Sequence, residues 1–140
     1  MNVREAIDHC TAVLESKKVE SPRLSAELLV GHATALGRSK ALAASDRILS
    51  QTEDNKLNAA LQRRARHEPI PYITGEVEFY SLAFSISAGI FIPRPETETL
   101  VDATLAIAKK MDEAPKICDL GLGSGCILLS LAMNLEDGEF

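Results

Sequence analysis

The 140 residues predict an α/β chain in two parts, a helical bundle followed by a β-hairpin and the opening of a parallel, doubly wound layer. Three observations carry this. Apolar residues recur at helical spacing up to residue 67. The period then shortens to two across residues 77–86. Near the end, a short apolar run meets three glycines and a second apolar run.

The helices come first. Val3, Ala6, Ile7, Cys10, Val13 and Leu14 share one face, and Asn2 with Glu5 three residues on forms a capping pair at its start. Ser21-Pro22 opens a second helix, serine as N-cap and proline at the first helical position. Leu24, Leu28, Leu29 and Ala33 point inward, and Gly37 lies at or just past its end. A short helical piece covers residues 39–44. Thr52 caps a further helix that buries Leu57, Ala60, Leu61 and Ala65. Residues 1–67 thus form a bundle.

At Glu68-Pro69-Ile70-Pro71-Tyr72 the pattern changes, because two prolines in three residues disfavour helix and favour extended backbone. After a turn at Gly75, Val77, Phe79, Leu82, Phe84 and Ile86 alternate with polar or small residues around a break at Tyr80-Ser81, which predicts a hairpin. Residues 68–90 are read as linker and hairpin, and residues 91–140 as a second domain. Pro95 begins a helix there, with Glu96 and Glu98 at its positive end. Leu100, Val101, Thr104, Leu105 and Ala108 form its buried stripe, and Lys109-Lys110 its close.

Composition narrows the function classes. A chain that is 46% hydrophobic and 25% charged can bury a core without disulfide or metal staples. Cys10, Cys118 and Cys126 form no paired motif and read as small apolar groups in a reducing compartment, so no metal site is expected. The charged N-terminus resembles no signal peptide, and no run approaches the roughly 18 apolar residues of a membrane span. The expectation is a cytoplasmic protein. Residues 1–76 hold eleven Lys and Arg against ten Asp and Glu, whereas residues 77–140 hold four against ten. An acidic second half excludes general DNA binding there. The basic cluster Arg63-Arg64-Ala65-Arg66-His67 has two readings, cations suited to a helix C-terminus or a contact patch for an anionic partner.

The chemistry is carried by the last segment. Lys116 to Leu120 reads as a strand, Gly121-Leu122-Gly123-Ser124-Gly125 as a turn, and Cys126 to Leu135 as a buried helix. Glycines allow positive φ and close approach of a ligand, and the unpaired N–H groups opening the helix favour an anion. A dinucleotide loop carries its third glycine one position later, where this chain has Cys126. Glycines at alternate positions behind an acidic strand end, Asp119, suit S-adenosylmethionine (SAM). A dinucleotide in an oxidoreductase, or a glycine turn with no ligand, remain the other readings of these residues.

Phe91-Ile92-Pro93-Arg94-Pro95-Glu96-Thr97-Glu98, followed by Asp119-Leu120-Gly121-x-Gly123-Ser124-Gly125-Cys126, resembles the HemK-type protein-glutamine methyltransferases. Arg63-Arg64 and Glu68 to Gly75 also resemble that family's linker. The resemblance implies the truncated start of a class I SAM-dependent, Rossmann-like methyltransferase domain behind a bundle that recognises class 1 peptide chain release factors. It implies methylation of the glutamine side-chain amide in their Gly-Gly-Gln motif, during translation termination. Gly121, Leu122, Gly123, Ser124 and Gly125 match the SAM-binding loop, and Phe91 and Arg94 match residues flanking the pocket. Leu122 stands where the family usually has Thr, which removes a hydroxyl and implies a weaker hold on SAM. The family's Asn-Pro-Pro-Tyr loop is absent, so no catalytic residue is assigned, and these residues alone are expected to be inactive. A non-catalytic module that docks release factors through its bundle is the alternative from another class.

Overall fold

A computed structural model describes all of Met1–Phe140, in two compact units, Met1–Thr74 and Gly75–Phe140. No helix is long and apolar enough to cross a membrane.

The first unit is helical. Helix α1 (Val3–Ser16) starts with a reciprocal capping box, the Asn2 side chain accepting the Glu5 N–H and Glu5 accepting the Asn2 N–H, each at 2.9 Å. Helix α2 (Pro22–Ala33) is the hub, packed by α1, α3 (Gly37–Ala43), α4 (Gln51–Arg64) and α5 (Ile70–Thr74). Wrapping on several sides changes its buried set. Ala26, Leu29, Val30 and Ala33 are inside, whereas Leu28 is half-buried and Leu24 exposed, contrary to the predicted stripe. A Cβ on Gly31 would come within 2.7 Å of the Gly37 carbonyl carbon and the Arg38 nitrogen, so glycine there allows the backbones of α2 and α3 to touch. Glu27 is buried, accepting from Arg23 at 3.0 Å and from Arg38 at 2.8 Å. Burial pushes its carboxyl up, and the two guanidinium hydrogen bonds outweigh that and hold it below the usual carboxylate range.

Three local expectations are corrected. Ser21 takes a left-handed φ of +48° and makes no cap bond, so α2 starts on Pro22 alone. The cap of α4 is Ser50 rather than Thr52. Ser50 has the extended backbone a cap needs, and its hydroxyl accepts the Glu53 N–H at 3.3 Å while Glu53 accepts the Ser50 N–H at 2.8 Å. The segment after Pro69 is the five-residue helix α5, not extended chain. Pro71 falls in its first turn, where a missing N–H costs nothing. The basic cluster also serves this corner. Arg63 donates to Glu68 at 2.8 Å and to the Tyr72 carbonyl at 2.9 Å, and Arg64 to the Glu68 carbonyl at 3.0 Å and Ser25 at 3.2 Å.

The second unit opens with the antiparallel hairpin β1 (Glu76–Phe79) and β2 (Leu82–Ser85), joined by Tyr80-Ser81. Val77 pairs with Phe84 and Phe79 with Leu82, which puts the four apolar side chains on one face, as the period of two predicts. A short 3₁₀ turn (Pro95–Thr97) leads into α6 (Glu98–Ala108), and α7 (Cys126–Asn134) follows. Phe79, Phe84, Val101, Leu105, Cys126 and Leu131 form one apolar cluster. The predicted inward residue Leu100 is exposed, because Val101, Leu105 and Ala108 already fill the face of α6 that packs.

The strand expected at Lys116–Leu120 does not form. Lys116 makes a single parallel bridge to Glu139, with the Ile117 N–H on the Glu139 carbonyl at 2.9 Å, and Leu120 is 93% exposed. A parallel strand draws its stability from neighbours along its length, and one residue of pairing supplies little. Helix α7 does form, but it is not buried throughout as expected. Only Cys126, Ser130 and Leu131 are inside, whereas Leu129 is 51% and Met133 71% exposed.

Candidate functional site

The glycine loop has the backbone its spacing predicts. Gly121, Gly123 and Gly125 take φ values of +99°, +56° and +74°, a region that L side chains rarely adopt. The Gly125 N–H closes the turn on the Leu122 carbonyl at 2.7 Å, and the Gly125 carbonyl accepts the Leu129 N–H at 2.9 Å as the first bond of α7. The N–H groups of Cys126, Ile127 and Leu128 therefore open the helix without an intrahelical acceptor. No side chain caps them. Their dipoles and the helix field favour a carboxylate or phosphate in front of them.

Space around the loop agrees with an approaching ligand. Nothing lies within 4 Å of a Cβ built on Gly121, and one built on Gly123 meets only the Gly121 carbonyl at 3.8 Å. Leu122 does not crowd the loop. Its side chain is about half exposed, and its Cγ stands 3.9 Å from a Cβ position on Gly125, an ordinary contact. Ser124 and Asp119 are half-buried at either end. Two of the loop's three glycines thus face open space, and the donors to hold an anion stand beside them.

The second segment, Phe91–Glu98, divides in its roles. Phe91 is 65% exposed, with the Arg94 guanidinium 5.9 Å from its ring centre. Arg94 makes no ion pair with a carboxylate. The Thr97 N–H returns to the Arg94 carbonyl at 2.9 Å, and the Thr99 hydroxyl donates to the Glu96 carbonyl at 2.7 Å, fixing the entry to α6.

Sequence reasoning assigned Glu98 to the helix field and missed its partner. Its Oε1 accepts the Tyr80 N–H at 2.8 Å, and the Tyr80 hydroxyl donates to Asp102 at 2.7 Å. That bond, together with burial and the two nearby carboxylates, raises the Tyr80 phenol above its ordinary value. The only signal in the sequence was negative, a hairpin tip without glycine, asparagine or aspartate.

Residues 5–75 match the PrmC N-terminal domain. The chain is also similar to curated proteins called release factor glutamine methyltransferase. It is 43% identical to that of Haemophilus influenzae over 96% of this chain and 48% of the relative. It is 39% identical to that of Koribacter versatilis (94% and 47%) and 42% identical to that of Escherichia coli K12 (91% and 46%). The chain spans about half the length of the curated relatives it matches. These likenesses do not favour the oxidoreductase reading or the stand-alone docking module. The chain belongs to the HemK-type (PrmC) release factor glutamine methyltransferase family, and its residues correspond to the N-terminal portion of that family's proteins.

Proposed function

We propose that Gly121, Leu122, Gly123, Ser124 and Gly125 hold SAM, and that residues 91–140 belong to a Rossmann-like class I methyltransferase domain. The helical residues 1–67 recognise class 1 peptide chain release factors, and residues 68–90 join the two. The reaction is methylation of the glutamine amide nitrogen in the Gly-Gly-Gln motif, in the cytoplasm, during translation termination. The observation that carries this reading is the loop, three glycines at positive φ opening directly onto the free N–H groups of α7.

When bound, SAM supplies a methyl group on a positively charged sulfur. This chain's part is to hold the donor. The N–H groups of Cys126, Ile127 and Leu128 would donate to its carboxylate, and Asp119 would add negative potential on the side of the cation. An amide nitrogen is a weak nucleophile, because its lone pair is shared with the carbonyl. Its activation needs acceptors for its N–H groups and in-line placement. No residue of 1–140 is assigned to that step, so a polypeptide of these residues alone is expected to bind without transferring.

A chimera tests the reading. Residues 1–140 replace the corresponding part of the Haemophilus influenzae relative, and SAM binding is followed by calorimetry alongside methyl transfer to a release factor. The chimera is expected to bind SAM and methylate. Gly123→Val, which puts a β-branched side chain at φ +56° in the loop, is expected to lower SAM affinity at least about tenfold. A folded chimera that binds SAM no better than its Gly123→Val version overturns the assignment.

A further inference from the structure

The hairpin tip breaks a local rule. A two-residue connection between antiparallel strands with left-handed backbone at both positions is normally filled by Asn, Asp or Gly, because a Cβ disfavours that region. Here Tyr80 has φ +51° and Ser81 φ +59°. Such strain persists only where the surroundings over-determine it. Packing does not do so on one side, because the tip borders an open cavity of about 420 Å³ lined by Tyr80, Ser81, Leu82, Glu98, Met133 and Asn134.

Two polar bonds from one helix do. Glu98 accepts the Tyr80 backbone N–H at 2.8 Å in a partly buried position, and Asp102 accepts the Tyr80 hydroxyl at 2.7 Å. Residues 98 and 102 lie one turn apart on the same face of α6. Both ends of Tyr80 are therefore tied to that face. Its neighbour Phe79 is 1% exposed and shares an apolar cluster with Val101, Leu105 and Cys126, the residue that follows the glycine loop.

We propose that Glu98 is a positioning residue. It pins the strained tip of the hairpin to the start of α6, and so sets the apolar seat on which Cys126 and the head of α7 rest. One oxygen of the carboxylate, Oε1, is engaged as the strut. The link to the loop's purpose rests on the SAM reading. The strut itself does not, and it is tested without ligand.

The test is residue-resolved amide hydrogen exchange on the full 140-residue chain. Glu98→Ala is expected to cut protection of the hairpin amides, Glu76–Phe79 and Leu82–Ser85, by about tenfold or more, the size of a hydrogen bond to a charged group. Glu98→Gln keeps an oxygen able to accept the Tyr80 N–H, and is expected to stay within about threefold of the parent. Ser81→Gly relieves the strain at one of the two tip positions, so by itself it is expected to raise hairpin protection. Full protection in Glu98→Ala overturns the proposal. So does a Gln variant as damaged as the Ala variant. If Glu98→Ala does not fold, the same comparison of Ala with Gln at position 98 is made in the stabilised Ser81→Gly background. A chain that fails to bind SAM leaves the strut standing, and a failed strut leaves SAM binding untouched.

Discussion

Leu29 and Leu129 sit on helices in the two halves of the chain, yet Leu29 is fully buried and Leu129 is 51% exposed. The difference reflects how each unit closes its core. In Met1–Thr74, α2 is surrounded by helices, both capping boxes are complete, and ion pairs at Glu27 and Glu68 tie helices and corner together. In Gly75–Phe140 a two-stranded hairpin and two helices share a smaller cluster, and Leu100, Ile107, Leu129 and Met133 face outward. Helices that flank a parallel sheet are apolar on the side that meets strands, and here a single bridge stands where a strand was expected. The first unit is therefore expected to hold most of the chain's stability, and the second carries the glycine loop.

The strongest way to break that comparison is to let each unit unfold in competition with a probe. Limited proteolysis is expected to leave a fragment close to Met1–Thr74 while Gly75–Phe140 is degraded. Thiol labelling reads the same contrast. Exposed Cys118 reacts at once, Cys126 reacts on opening of the second unit, and Cys10 reacts last. Burial, with the nearby Asp54 charge, pushes the Cys10 thiol up to about 11, so it is both hidden and protonated. Equal lifetimes for both units, or Cys10 labelled before Cys126, refutes the asymmetry.

Paired leucine truncations sharpen it. Leu29→Ala empties a fully buried site and is expected to cost about 2–5 kcal/mol by denaturant unfolding. Leu129→Ala removes a side chain already half in water, and is expected to stay within about 1 kcal/mol. Similar costs at the two sites show that α7 is covered in solution.

How much of this was legible in the sequence follows from how local each cause is. The α1 capping box and the hairpin register are written in residues a few positions apart, and the structure has both. The positive φ values of the glycine loop are likewise local, since only glycine takes them without strain. What was not legible depends on distant partners. The buried face of α2 is set by several neighbours at once, which no single helical stripe encodes. Strand formation at 116–120 needs a neighbour along its whole length. Arg63 and Arg64 read as cations suited to a helix C-terminus or as a contact patch, and they do end α4. Their bonds to Glu68 and the Tyr72 carbonyl, however, depend on how the chain turns back. Tyr80 and Ser81 were read as a break in alternation, and nothing nearby in sequence shows that Glu98 and Asp102 hold them.

The smallest effect concerns how the first unit keeps its helix ends. Ser50→Ala removes the hydroxyl that accepts the Glu53 N–H, and is expected to cost about 1 kcal/mol. The reciprocal half of that box has a pH signature. The Arg47 side chain, then the Ser50 backbone N–H, hold the Glu53 carboxyl down to about 2, from an ordinary value of 4.5. A carboxylate with a lowered folded pKa contributes stability that is full above its unfolded value and lost as the folded value is approached from above. The difference in melting temperature between parent and Glu53→Gln is therefore expected to be constant above about pH 4.5 and to shrink from there towards pH 2. Glu27 and Glu68 shift in the same direction, so both proteins weaken in acid, and only the difference between them reports Glu53. A difference that grows as pH falls through this window means that the carboxylate does not cap α4 in solution. The closed first unit would then owe less to its helix ends than to the core around Leu29.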